Sequence, residues 1–228
     1  MENLLAKVSI MLVPALLAVT AHEVAHGYLA ERLGDPTARL LGRLTLNPLK
    51  HLDPIGTLAL LFFGFGWAKP VPVNFRHLRR PRQDMIWVAL AGPLANFSLA
   101  VLSALFLKGT MILAALWARE STEMLQILEP VALMAGFSLY INVILGVFNL
   151  FPIPPLDGGR VMTGLLPPRQ AQMLDRLEPF GLLIIVFLVF FTDLWRMVLA
   201  PIVLLLVKFL AGSQWVIVER AIHFLFSR

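Results

Sequence analysis

A chain of 228 residues that is 58% hydrophobic and only 14% charged is too apolar for an ordinary soluble domain, about 25% of which is charged. It contains no cysteine, which excludes disulfides, thiolate metal sites and cysteine catalysis together. The formal net charge of +5 is read as the basic cytoplasmic loops of a membrane protein and not as a nucleic-acid surface.

Mean hydropathy is +0.79, and several apolar runs approach the ~20 residues that span a bilayer. The expected fold is therefore an all-α polytopic membrane protein with about 4–6 transmembrane helices. The chain opens Met1-Glu2-Asn3, with neither a basic n-region nor a small-residue cleavage site, so the first apolar run, 4–33, reads as a retained span. Gly34-Asp35-Pro36 stops it, because glycine caps a helix and proline cannot continue one. In the basic loop that follows, 54–68 is apolar, short and rich in glycine (Gly56, Gly64, Gly66), which fits a re-entrant or interfacial segment. Lys69-Pro70-Val71-Pro72-Val73-Asn74 must be extended, since each proline disfavours helix in the residue before it. This β-like stretch is a linker, or a strand edge at Val71, Val73 and Asn74 to which an extended substrate adds.

The second span is expected at 85–107, with apolar residues continuing to Trp117, and the third at 130–150, ended by Phe151-Pro152-Ile153-Pro154-Pro155. A polar stretch, 167–178, follows. The apolar blocks 180–191 and 197–210 are two short spans with a turn, or one tilted span plus an interfacial helix. In 214–228, Trp215, Val218, Ile222 and Leu225 share one face, the pattern of an amphipathic helix on a membrane surface. No internal repeat is visible. The organisation expected is one membrane-embedded domain over 1–228, with a core at 4–159, C-terminal helices at 180–211 and an amphipathic segment at 213–228.

Basic residues follow the first and third spans, at Arg32, Arg39, Arg43, Lys50, Lys69, Arg76, Arg79, Arg80 and Arg82, then at Arg160, Arg169 and Arg176. The positive-inside rule puts both segments in the cytoplasm. Between 108 and 129, Arg119 is set against Glu120, Glu123 and Glu129. The first and third spans then run outside to inside and deliver polar residues to the same side.

Those polar residues carry the chemistry. His22-Glu23-Val24-Ala25-His26 is H-E-x-x-H inside the first span. Residues i and i+4 share a helix face, so both imidazoles reach one metal ion and Glu23 lies where it takes a proton from bound water. Each ionisable residue at a span centre costs about 2.5–3.5 kcal/mol on insertion scales, and a metal compensates three in five positions. The bland alternative is a polar cluster lining a transport path. His22 is ten residues before Arg32, about 15 Å along the helix, below the cytoplasmic surface. A catalytic zinc commonly takes three protein ligands. Asp157, freed of bulky neighbours by Gly158-Gly159, is the leading third ligand, or else the N-cap of a helix beginning near Arg160. His51, Asp53 and His77 are rivals in what reads as a wet loop. Glu31 reads as snorkelling or paired with Arg32. Gly92-Pro93-Leu94-Ala95-Asn96 sets a small residue and an amide on one face. Asn96 is either an interhelical hydrogen bond or a donor to a developing oxyanion, and Asn142 and Asn149 share the ambiguity.

These residues resemble the site-2 proteases, intramembrane zinc metalloproteases. The resemblance rests on His22 to His26, Gly92 to Asn96, Gly66-Trp67-Ala68-Lys69-Pro70-Val71-Pro72-Val73-Asn74, and Asn149-Leu150-Phe151-Pro152 leading to Leu156-Asp157-Gly158. It covers 4–159, with looser agreement beyond, and is to the compact type without a PDZ or CBS domain. It implies one zinc ion held by His22, His26 and Asp157, Glu23 as general base, and Asn96 in contact with substrate or oxyanion. It also implies transmembrane protein or peptide substrates in a lipid bilayer. The expected setting is a prokaryotic cell membrane with the active site toward the cytoplasm. The alternatives are a zinc-binding membrane protein without proteolytic activity, chaperone-like or in transport, and a transporter with a polar relay. An intact Glu23 argues against the first, and concentration of the ionisable residues at one depth argues against the second.

Overall fold

The structure is a computed structural model that describes residues 2–56, 67–117 and 122–226. Most of the expected re-entrant segment, including Gly64 and Gly66, lies outside the described residues, as do Arg119 and Glu120. In chain order the helices are α1 (Glu2–Arg32), α2 (Thr37–Leu40), α3 (Pro81–Trp117), α4 (Thr122–Asn149), α5 (Asp157–Leu165), α6 (Pro168–Asp175), α7 (Gly181–Phe191), α8 (Ala200–Ala211) and α9 (Trp215–Phe226). Among the described residues one isolated antiparallel bridge joins Leu52 to Ala68. The fold is all-α.

Four helical stretches are long and apolar enough to cross a membrane: Leu5–Arg32, Pro81–Trp117, Met124–Asn149 and Trp195–Leu225. The protein is an integral membrane protein. The second span exceeds its expected bounds at both ends, following the apolar run to Trp117, and the third starts earlier than expected because Pro130 lies inside the helix and not at its end. Neighbouring groups re-satisfy the backbone freed by a proline in an apolar span. Most of the expected polar segment at 108–129 is therefore helix. At the other end, α7 has 11 residues, about 16 Å at ~1.5 Å per residue, too short to cross. The stretch of that region that is long and apolar enough is Trp195–Leu225, which contains both α8 and α9 with a break at Gly212 between them.

The stop after α1 is a capped end. Gly34 N–H donates to Glu31 O at 3.1 Å and Asp35 N–H to Ala30 O at 2.9 Å. Gly34 has φ +117°, a conformation open to glycine, and the pair of bonds is a Schellman motif. Glu31 pairs with Arg39 and not with Arg32, whose guanidinium donates to the Tyr28 hydroxyl.

The chain divides into two compact units, one of Met1–Ala18, Asn96–Leu145 and Arg196–Arg228, the other of Val19–Ala95 and Gly146–Trp195. In the first, Ile10, Leu133 and Ala221 form a core with Met134, Phe224 and Leu225 against it. Val218 of α9 is fully buried, and its Cα lies so close to Gly136 that a Cβ there would approach to 3.3 Å. The apolar face of α9 is thus covered in part by α4. Ser103 and Ser138 hydroxyls bond at 2.8 Å, and the Asn142 amide donates to Ser138 O at 2.9 Å.

The second unit is built on the C-terminal half of α1, the N-terminal part of α3 and α5 to α7. Ala30, Leu78 and Val88 form a core there, with Leu33, Val73 and Phe75 packed on it. Pro81 opens α3, and the Asp84 carboxylate accepts from Arg80 N–H at 2.8 Å. Arg82 Nε donates to Gly164 O at 2.9 Å and its Nη2 to Leu166 O, which satisfies carbonyls at the end of α5 that have no helical partner.

Candidate metal centre

The α1 periodicity stacks His22 and His26 on one face, with their rings edge to face and centroids 4.6 Å apart. Asp157 is the first residue of α5. Leu156 holds the cap position without a side-chain bond, so the Asp157 carboxylate does not cap the helix. It points at the histidines instead: Oδ2 lies 3.1 Å from His22 Nε2 and 3.2 Å from His26 Nε2. The two Nε2 atoms are 3.0 Å apart. Exposures of 7, 9 and 7% for His22, His26 and Asp157 place the triangle away from bulk water.

The loop before α5 fixes the aspartate. Pro152, Pro154 and Pro155 leave it no helical option, and Gly158 and Gly159 let the helix start press against it. A Cβ at Gly158 would come within 2.5 Å of Phe151 O, and one at Gly159 within 2.7 Å of the Ile153 carbonyl carbon. Gly92 of α3 serves the histidines in the same way, since a Cβ there would lie 2.7 Å from His22 Nε2 and nearer still to His26 Nε2.

His26 Nδ1 is 2.7 Å from Val88 O. A carbonyl only accepts, so Nδ1 carries the proton and Nε2 presents its lone pair to the triangle, the usual arrangement behind a metal-binding imidazole. Asp157 Oδ2 is buried without a hydrogen-bond partner, although it faces two ring nitrogens. The Asp157 oxygen, the His26 Nε2 lone pair and His22 Nε2 converge within 3.2 Å, a donor set that suits a cation. Bonds of ~2.0–2.1 Å in a tetrahedral zinc site put neighbouring ligand atoms roughly 3.3 Å apart, close to the edges found. Zinc fits this donor set.

Glu23 Oε2 accepts from Val71 N–H at 2.7 Å. This ties the carboxylate between the two histidines to the extended segment that the prolines create. The other end of that segment is anchored by Asp35, fully buried, which accepts from Asn74 N–H at 2.7 Å, from Thr37 N–H at 3.1 Å and from the Thr37 hydroxyl. His77 Nδ1 lies 3.1 Å from the same carboxylate. Burial raises the Asp35 carboxyl, and the bonds from Thr37, Asn74 and His77 bring it below its ordinary value.

Among the described residues His22, His26 and Asp157 form the group able to hold a metal. His51, Asp53 and His77 lie elsewhere. His51 is 1% exposed and its Nε2 donates to Thr45 O at 2.9 Å, so its surroundings are not wet: the loop folds over it. Asp53 accepts from Gly56 N–H at 2.8 Å. Asn96, in the other compact unit, is fully buried and its amide donates to Ala18 O at 3.1 Å and Asn142 Oδ1 at 2.9 Å. Both amide hydrogens are engaged in ties between helices. The sequence did not reveal the Val88 carbonyl behind His26, the Glu23–Val71 bond or the Asp35 anchor. Only the Asp-Pro-Thr order at 35–37 hinted at the last, as a side-chain-bonded turn.

Residues 116–192 match peptidase family M50. The chain is 42% identical over 194 residues to "Putative zinc metalloprotease YwhC" of Bacillus subtilis, covering 84% of each sequence. The chain belongs to peptidase family M50, the site-2 proteases. It is also 33% identical over 182 residues to a Rip2 of Mycolicibacterium smegmatis carrying the same zinc-metalloprotease designation, covering 76% of this chain and 63% of that protein. Identity to "Zinc metalloprotease MJ0392" of Methanocaldococcus jannaschii is 21% over 165 residues, covering 72% of this chain and 37% of that protein. No solved structure matches. This M50 chain is a site-2-protease-like zinc metalloprotease, and its metal is zinc.

Proposed function

We propose that this M50 protease is an intramembrane endopeptidase that cleaves transmembrane segments of membrane proteins, with its site toward the cytoplasm. One observation carries the reading: three donor atoms of His22, His26 and Asp157 in a buried triangle with edges of 3.0 to 3.2 Å, the two histidines on a helix apolar enough to span. The basic residues beyond α1 and α4 support the orientation.

His22 and His26 would hold zinc through Nε2, and Asp157 through Oδ2. Zinc bound there supplies a Lewis acid that polarises a carbonyl and makes water a nucleophile near neutral pH. Glu23, adjacent in sequence to a ligand but outside the donor triangle, takes the proton from the attacking water and passes it to the leaving amine. Val71 N–H holds that carboxylate through a charge-assisted bond. Val88 O keeps His26 in the tautomer that presents Nε2. The extended stretch through Val71, Val73 and Asn74 lies beside the base and suits a substrate that has unwound, since helical carbonyls are otherwise bonded. Asn96 is a tie between helices in this account.

Asp157→Asn tests the site. An amide nearly preserves shape but is a poor zinc ligand. The purified variant should lose both zinc, measured as metal per chain, and cleavage. A fully zinc-loaded, active variant would refute the ligand set.

A further inference from the structure

Past the capped end of α1 the chain carries five large aliphatic side chains in the open. Leu40, Leu41, Leu46, Leu49 and Ile55 are 78, 61, 66, 73 and 69% exposed. Single exposed leucines need no explanation, but five such side chains between positions 40 and 55 do. Other residues of the same loop turn inward: Ala38 is fully buried and His51 nearly so. The loop is therefore folded, and holds its leucines out. Asn47 caps the turn Pro48–Lys50 through a bond from Leu49 N–H at 3.1 Å, which sets Leu49 beside the exposed Lys50.

The charge around these leucines is one-sided. From Glu31 to Asp84 there are nine lysines and arginines and four carboxylates. The carboxylates are engaged: Glu31 by Arg39, Asp35 by Asn74 and Thr37, Asp53 by Gly56 N–H, Asp84 by Arg80 N–H. Lys50, Lys69, Arg76, Arg79 and Arg80 are exposed. Leu40 follows the last residue of the span, Arg32, by eight positions, so the surface within reach is that of the bilayer itself.

We propose that 40–55 is a membrane-docking surface that inserts Leu40, Leu41, Leu46, Leu49 and Ile55 into the headgroup–acyl boundary of an anionic cytoplasmic leaflet, with Lys50 and its basic neighbours on phospholipid phosphates. Aliphatic tips among cations are how interfacial segments bind anionic bilayers. The docking has a route to the catalytic base. Lys69 N–H donates to His51 O at 2.8 Å, Arg43 donates to Lys69 O at 2.9 Å, and Leu52 bridges Ala68. The same extended backbone, two residues on, donates from Val71 to Glu23. The inference needs the membrane setting and, for the choice of leaflet, rests on the proposed orientation; it does not need the protease activity.

The chain has no native cysteine, so Leu46→Cys and, separately, Leu49→Cys each accept one environment-sensitive fluorophore. Zinc-loaded full-length protein is reconstituted in phosphatidylcholine discs, with or without phosphatidylglycerol, and quenched by lipids spin-labelled near the headgroup. Both labels should be quenched, several-fold more with phosphatidylglycerol, while a label at the exposed Arg169, by Arg169→Cys, stays in water. Adding Lys50→Glu should remove most of the phosphatidylglycerol effect with zinc content unchanged. Labels at both leucine positions that remain in water on either bilayer overturn the proposal and leave the leucines to a protein partner. Equal quenching in the two lipids overturns the anionic preference.

Discussion

Gly92 faces the donor triangle across a gap with no room for a methyl group, which makes Gly92→Ala a quantitative probe of the site. The added Cβ would sit 2.7 Å from His22 Nε2, against ordinary contacts of 3.4–4 Å. The rings must retreat by several tenths of an ångström, beyond the roughly ±0.2 Å that metal–ligand bonds tolerate. Disturbing the groups that orient metal ligands typically costs ~10–100-fold in metal affinity, or about 1.4–2.8 kcal/mol. Gly109 on the same helix is the control, with no atom within 4 Å of its added Cβ. Gly109→Ala should keep zinc affinity and gain up to about 1 kcal/mol from helix propensity. Zinc competition titrations on purified wild type and both variants decide the matter. Equal affinity of Gly92→Ala and wild type would refute the tight packing of α3 on the histidines.

Val71→Pro removes the N–H that holds Glu23; a charged hydrogen bond is worth ~1.5–3 kcal/mol, so turnover should fall by roughly tenfold or more with zinc retained, while Val71→Ala stays near wild type. Normal turnover in the proline variant would show that the bond is idle. Asp35 has a lowered folded-state pKa, so its contribution is full above the ordinary carboxylate value of about 3.9 and is lost as pH falls through the lower folded value. Hydrogen-exchange protection of 67–78 should be flat from neutral pH to about 4 and collapse below it. Asp35→Asn should lose that protection at neutral pH. For orientation, Arg43→Cys and Arg169→Cys in intact cells should react only with membrane-permeant thiol reagents, and labelling by an impermeant reagent would reverse the topology.

Periodicity made much of this legible. H-E-x-x-H on an apolar helix predicts two imidazoles on one face, and Gly34 after Leu33 predicts the Schellman stop. The triple proline predicts a rigid bend that delivers Asp157. Helix ends were harder to read, because Pro130 acts as a breaker in water but is tolerated in a span. Amphipathicity located α9, yet the pattern is the same whether the apolar face meets lipid or protein, and Val218 meets α4. His51 was misread as wet because nothing in its neighbourhood announces that Lys69 and Thr45 close over it. Long-range backbone donors such as Val71 N–H leave no trace in side-chain identity.

The central claim is that Glu23 performs proton transfer for hydrolysis inside a membrane segment. The substrate is taken from membrane proteins that accumulate uncleaved in cells carrying Glu23→Gln. That protein is reconstituted with zinc-loaded wild type or Glu23→Gln, and its products are mapped by mass spectrometry. The account predicts a cut within the substrate's apolar segment by wild type, and none by Glu23→Gln at equal zinc content. Equal cleavage by the variant, or a cut confined to the substrate's soluble part, would contradict it.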